Sequence, residues 1–109
     1  MVLDFETLPS EAKEHFKGGE GTLGMQAHAD ALNRIMRVTL PAGASIGMHT
    51  HDTSSEIVYV LAGEGVVREN GGETPLRAGL CTYCPKGSAH SIANTGRADL
   101  VLFAVVPNQ

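Results

Sequence analysis

The chain has 109 residues, with 13 glycines, 5 prolines, three phenylalanines, two tyrosines and no tryptophan. That length suits one domain with an aliphatic core, burying roughly two thirds of the surface its unfolded form exposes. A net charge of −4 and eight scattered basic residues argue against the concentrated basic face of a nucleic-acid groove.

In chain order, Leu8, Ala12 and Phe16 recur at i, i+4 and i+8 and predict a short helix over residues 8–17. Pro9-Ser10 suit its start and Gly18-Gly19 its end. Residues 1–20 then form a helical extension to a barrel core of about 21–107, within a single domain over 1–109. Strands are predicted at 24–29, 33–40, 46–51, 57–61, 66–69, 73–76, 80–84, 89–93 and 100–106. Asn70-Gly71-Gly72 signals a tight hairpin, and Pro75 assigns the strand after it to a sheet edge. About nine short strands at 8–12-residue spacing point to an all-β sandwich or barrel. There is no run of 18 apolar residues, and the acidic start (Asp4, Glu6) lacks a signal-peptide core. A soluble, cytoplasmic protein with no membrane partner is expected.

Cys81 and Cys84 form a Cys-x-x-Cys, a spacing used in redox pairs and half zinc sites. On a strand, residues three apart point to opposite faces, so the two sulfurs are expected to stay apart as small core hydrophobes. The runs 57–61 and 100–106 are apolar on both faces. A lone barrel needs only its inner face apolar, so a homodimer covering the outer face is expected.

His49-Thr50-His51 places two imidazoles on one strand face. If Asp52–Ser55 turns an antiparallel hairpin, Glu56 lies beside His51 on the neighbouring strand and its carboxylate reaches the same point. His90 follows a Pro-x-Gly turn that can deliver it across a barrel lumen. Three imidazoles and a carboxylate suit one borderline ion (Mn, Fe, Co, Ni, Cu or Zn) better than Ca or Mg, which prefer oxygen shells. The bland alternative is a pair of surface histidines.

The frame around these residues is more specific. Gly43, His49, His51, Glu56 and Gly63 stand at the fixed spacings of the first cupin motif, and Gly79, Pro85, Gly87, His90 and Asn94 at those of the second. The chain thus resembles the cupin family over about Asn33 to Val106, with one departure: Leu80 stands where many cupins carry Asp. The resemblance implies a double-stranded β-helix (jelly roll) with His49, His51, Glu56 and His90 holding one divalent transition metal ion such as Mn, Fe, Ni or Zn. In cupins such sites serve oxygenases, decarboxylases, isomerases and lyases. The leading expectation is a small metalloenzyme acting on a small polar or carboxylated organic molecule. The alternative is a non-catalytic cupin that binds or senses such a ligand. No acid or base stands out beyond Glu56, so the catalytic residues are not assigned.

Other candidates are weaker. His15 and His28 read as solvated histidines rather than ligands. Arg34 shares parity with Met36 and Val38 and can reach an anionic group at the rim. Tyr83 reads as a core aromatic, and Met25, Met36 and Met48 as core or pocket filler.

Overall fold

Period-two alternation governs most of the chain, and the computed structural model, which describes all 109 residues, is accordingly all-β. Ten strands form: β1 (Glu11–Glu14), β2 (Thr22–Ala29), β3 (Asn33–Leu40), β4 (Ser45–Thr50), β5 (Glu56–Ala62), β6 (Glu64–Glu69), β7 (Gly72–Arg77), β8 (Cys81–Cys84), β9 (Ala89–Asn94) and β10 (Leu100–Pro107). They make a six-stranded sheet, β1-β2-β3-β10-β5-β8, and a four-stranded sheet, β4-β9-β6-β7. This is the expected double-stranded β-helix. The Pro75 strand, β7, lies at a sheet edge as predicted, because proline has no N–H to offer a second neighbour.

The two sheets share one core. Leu23, Val38, Leu40, Val58, Val60, Leu100 and Leu102 of the larger sheet meet Val67, Leu76 and Ile92 of the smaller one. Leu40, Val60, Leu100 and Leu102 have no exposed surface, and each such burial contributes about 1.5–3 kcal/mol. Asn94 ties the corner beneath β9: its amide donates to the Leu40 and Ala98 carbonyls at 2.8 and 2.9 Å and accepts from Gly96 N–H at 2.8 Å. At the hairpin, Asn70 and Gly71 both take positive φ (52° and 75°), the backbone that matches the twist of β6 and β7.

Four expectations need correction. Residues 8–17 form no α-helix: β1 adds to the edge of β2, followed by a 3-10 turn at Phe16–Gly18. A spacing of four is a multiple of two as well as near one helical turn, so Leu8, Ala12 and Phe16 fit a strand equally. Asp52–Ser55 is not a hairpin loop either. It crosses between sheets, since β4 pairs with β9 while β5 pairs with β10 and β8. On β8, Cys84 is buried but Cys81 and Tyr83 are exposed, because the outer face of this edge strand has nothing packed over it. Met48 is exposed for a different reason. The β4–β9 register slips between Ile46 and His49, and this bulge turns Met48 outward.

The N-terminal segment is docked by backbone contact. Its turn packs so closely on β4 that a Cβ on Gly47 would lie 2.1 Å from the Lys17 carbonyl oxygen, so only glycine fits there. On the outer face Arg37 donates to the Phe5 carbonyl at 2.6 Å, and the Phe5 ring meets Phe103 edge-on.

Candidate metal centre

The β4 bulge also aims the first histidine. It puts His49 in register with His90 on β9, so the two rings sit side by side, 4.8 Å apart at their centroids, at one end of the barrel. His51 follows just past β4 and is held by two backbone bonds, its N–H donating to Ser88 and its carbonyl accepting from Gly87. The turn glycine of the second motif thereby fixes the second histidine of the first. Glu56 opens β5 on the opposite sheet and reaches the three rings from there.

The four side chains converge. Glu56 Oε1 lies 2.8 Å from His90 Nε2, 3.2 Å from His51 Nε2 and 4.0 Å from His49 Nε2. The Nε2 atoms of His51 and His90 approach to 3.1 Å. All four donor atoms lie within 4.8 Å of one another, a group that could hold a metal ion. Side-chain exposure falls from 16% at His49 through 12% at Glu56 and 9% at His51 to 1% at His90, so the group opens on one side only.

Outer contacts orient two of the rings and fix the tautomer of one. The Gly47 carbonyl can only accept, so His49 Nδ1–H donates to it at 2.8 Å and leaves the Nε2 lone pair facing the centre. His51 Nδ1 has the Ser54 hydroxyl at 3.0 Å. These are the outer partners that orient ligating imidazoles in metal sites. Two lone pairs 3.1 Å apart beside a carboxylate repel unless a proton or cation lies among them. The donor set therefore fits a divalent ion of the borderline class.

Burial pushes the pKa of both His49 and His51 below the ordinary imidazole value. For His49 desolvation comes first, opposed by the bond to Gly47. For His51 desolvation again leads, opposed by Glu56, while His90 and the Lys17 ammonium add to it. Both rings are thus held in the neutral form that a metal needs.

The centre lines a cavity of about 500 Å³ whose other walls include Lys13, Lys17, Arg34, Met25, Met36, Val38 and Ile46. Arg34 is there, as its parity predicts. His28 is not: it lies on the outward side of β2 with Asp30 at 3.9 Å. His15 turns back on its own loop, with Nδ1 3.1 Å from the Gly19 carbonyl. Sequence reasoning missed Lys13 and Lys17, which the expected helix would have carried elsewhere, and Ser54 and the Gly47 carbonyl, whose roles follow from the bulge and the crossing.

The fold agrees with comparison to known proteins. Residues 36–106 match the model of the cupin domain. The chain belongs to the cupin family. It is 36% identical to the oxalate-binding protein of Thermotoga maritima, over 97% of this chain and 93% of that one. A solved structure of a predicted oxalate decarboxylase from Thermotoga maritima is 35% identical, with a TM-score of 0.95 and full coverage of both chains. A cupin domain of Schizosaccharomyces pombe, 15% identical and covering 99% of this chain and 74% of that one at a TM-score of 0.81, shares the fold alone.

The lowered imidazole pKa values make the metal-free protein acid-sensitive. The unfolded chain binds protons at His49 and His51 below about pH 6.5, where the folded chain still resists them. Stability should fall as pH drops through about 6.5 and level off below the folded pKa values. In chelator-treated protein, Tm at pH 5.5 should lie below that at pH 7.5, and the difference should shrink in a His49→Gln/His51→Gln variant. An equal drop in that variant would contradict this.

Proposed function

We propose that this cupin holds one divalent transition metal ion through His49, His51, Glu56 and His90 and uses it to bind a small carboxylated molecule. The observation that carries this reading is the meeting of two features in one cavity: the four-donor centre, and the cations Lys13, Lys17 and Arg34. The bound ion supplies a Lewis acid for an anionic oxygen. The lysines and the guanidinium supply the charge that draws an anion in. Oxalate is the first compound to test, because the similar Thermotoga maritima protein is named for binding it.

Turnover is the second reading, supported by the similar solved structure described as a predicted oxalate decarboxylase. Decarboxylation would convert oxalate and one proton to formate and carbon dioxide. The chain offers no buried acid beside the centre apart from Glu56, which the ion would occupy, so binding without turnover ranks first. Either way the protein is inferred to work as a homodimer. Ile57, Tyr59 and Leu61 on β5 and Tyr83 on β8 are 42%, 43%, 45% and 56% exposed. With Cys81 they form an uncharged outer face, which the Phe5 segment leaves uncovered.

Metal should stabilise the fold by linkage, by about 4 kcal/mol at a free-ion concentration a thousandfold above Kd. A chelator should lower Tm by more than about 10 °C, and Mn, Fe, Ni or Zn should restore it. His49→Ala, His51→Ala and His90→Ala should each sharply reduce metal content in elemental analysis, Glu56→Gln less so, and His15→Ala and His28→Ala not at all. Wild-type metal content in His90→Ala would end the proposed ligand set.

Titration calorimetry should show oxalate binding to metal-loaded protein at least about tenfold more tightly than to chelator-treated protein or to His49→Ala. Release of labelled carbon dioxide from ¹³C-oxalate would promote the enzymatic reading, and equal binding with and without metal would remove the proposal.

Light scattering at tens of micromolar should give twice the 11.5 kDa chain mass. Tyr59→Glu, a charge placed at the centre of the apolar face, should shift the protein toward monomer. A monomeric wild type would contradict the dimer.

A further inference from the structure

The cavity is built for more than a two-carbon dianion. Its volume of about 500 Å³ falls in the range of sites that enclose drug-sized ligands. Besides the metal centre and the cations, the lining includes apolar side chains: Phe16, Met25, Met36, Val38, Ile46 and Val106. Oxalate is charged at both ends and has no apolar surface to place against that wall.

Two of the three lining cations are free to pair with an anion. Lys13 is engaged with Glu11 at 3.0 Å, whereas Lys17 and Arg34 form no ion pair with the protein. Lys17 is not a casual surface lysine. Its backbone is left-handed (φ 55°, ψ 29°), a conformation costly for a side chain with a Cβ. The close contact of its carbonyl with Gly47 holds that turn against β4, two residues from His49. Its ammonium lies over the Phe16 ring, 5.5 Å from the centroid, beside the apolar wall.

We infer that the ligand is a longer acid with three parts: a donor head at the metal centre, an apolar body along the Met36–Ile46 wall, and a second carboxylate held by Lys17 and Arg34. This rests on the metal-dependent carboxylate reading above and narrows its ligand class. A two-ended acid offers a partner to the metal centre, to the apolar side chains and to the two cations at once. A shorter or singly charged acid leaves either the apolar wall or the two cations without a partner.

The test compares three 2-oxo acids and oxalate by calorimetry on metal-loaded protein. Pyruvate supplies the head, 2-oxohexanoate adds the apolar body, and 2-oxoadipate keeps that length and adds the second carboxylate. Each step should tighten binding about tenfold or more. In Lys17→Met/Arg34→Met the last step should collapse to within twofold, while Lys17→Arg should retain it. Metal content and Tm establish that the variants are folded. Should the double variant not fold, the last step in wild type should still shrink between 50 and 500 mM salt, as charge recognition requires. Equal affinity of 2-oxohexanoate and 2-oxoadipate, or a gap indifferent to both the variant and salt, would overturn the inference. So would oxalate binding more tightly than all three, and that result would leave the metal-dependent carboxylate reading standing. Failure of every acid, oxalate included, would overturn both.

Discussion

One extra residue in β4, between Ile46 and His49, is the feature on which the candidate centre depends. In a regular strand, residues three apart face opposite ways, so Ile46 and His49 could not both line the cavity. The bulge lets them do so, brings His49 into register with His90, and turns Met48 out. It also leaves the Gly47 carbonyl aimed at His49 Nδ1, which settles the tautomer of that ring. Local irregularity in a ladder is where a sheet can re-aim a side chain, and here it aims the most exposed of the four donors.

Glu56 joins the two sheets at this end of the barrel. The three histidines belong to the four-stranded side, and the carboxylate arrives from the six-stranded side through the crossing at Asp52–Ser55. Three desolvated imidazoles and one carboxylate within 4.8 Å are a poor way to hold two sheets together without a counter-ion. Desolvation of charged and polar groups opposes their mutual attraction. The cost is concentrated at the group that could hold an ion, while Leu40, Val60, Leu100 and Leu102 make the core that sustains it. Beyond the donors, His90 Nδ1 is buried without a hydrogen-bond partner, so its ring is oriented by packing rather than by an acceptor of its own.

The N-terminal segment is part of the site rather than an appendage. β1 extends the six-stranded sheet, and the turn after it lies on β4 of the other sheet, so Lys13, Phe16 and Lys17 come to line the cavity. Two glycines make this possible. A Cβ on Gly19 would lie 2.1 Å from the Ser45 carbonyl oxygen, and one on Gly47 would lie equally close to that of Lys17. The same backbone contact thus links the cation above the cavity to the strand that carries His49.

The four donors were legible in the linear order of residues because their spacing is tied to turns that only a few residue types can make. Gly43, Gly63, Gly79 and Gly87 all take positive φ, and Asn94 bonds the backbone around its corner, as their types predict. Strand positions were legible too, since period-two patterning is a local property. What the residues alone could not decide was which strands pair. Nothing in Asp52–Ser55 distinguishes a hairpin from a crossing, because both are short and polar, and only the pairing of β4 with β9 settles it. The N-terminal segment was misassigned because a four-residue apolar spacing satisfies helix and strand alike, and the choice fell to the free edge of β2. Exposure of Met48, Cys81 and Tyr83 was likewise a tertiary outcome, set by one bulge and by an edge strand with nothing packed over it. The sequence by itself determined the four side chains that cluster and the turns that carry them. The tertiary structure decided from which sheet each donor arrives and which cations stand over them, because those depend on strand pairing between residues far apart in the chain.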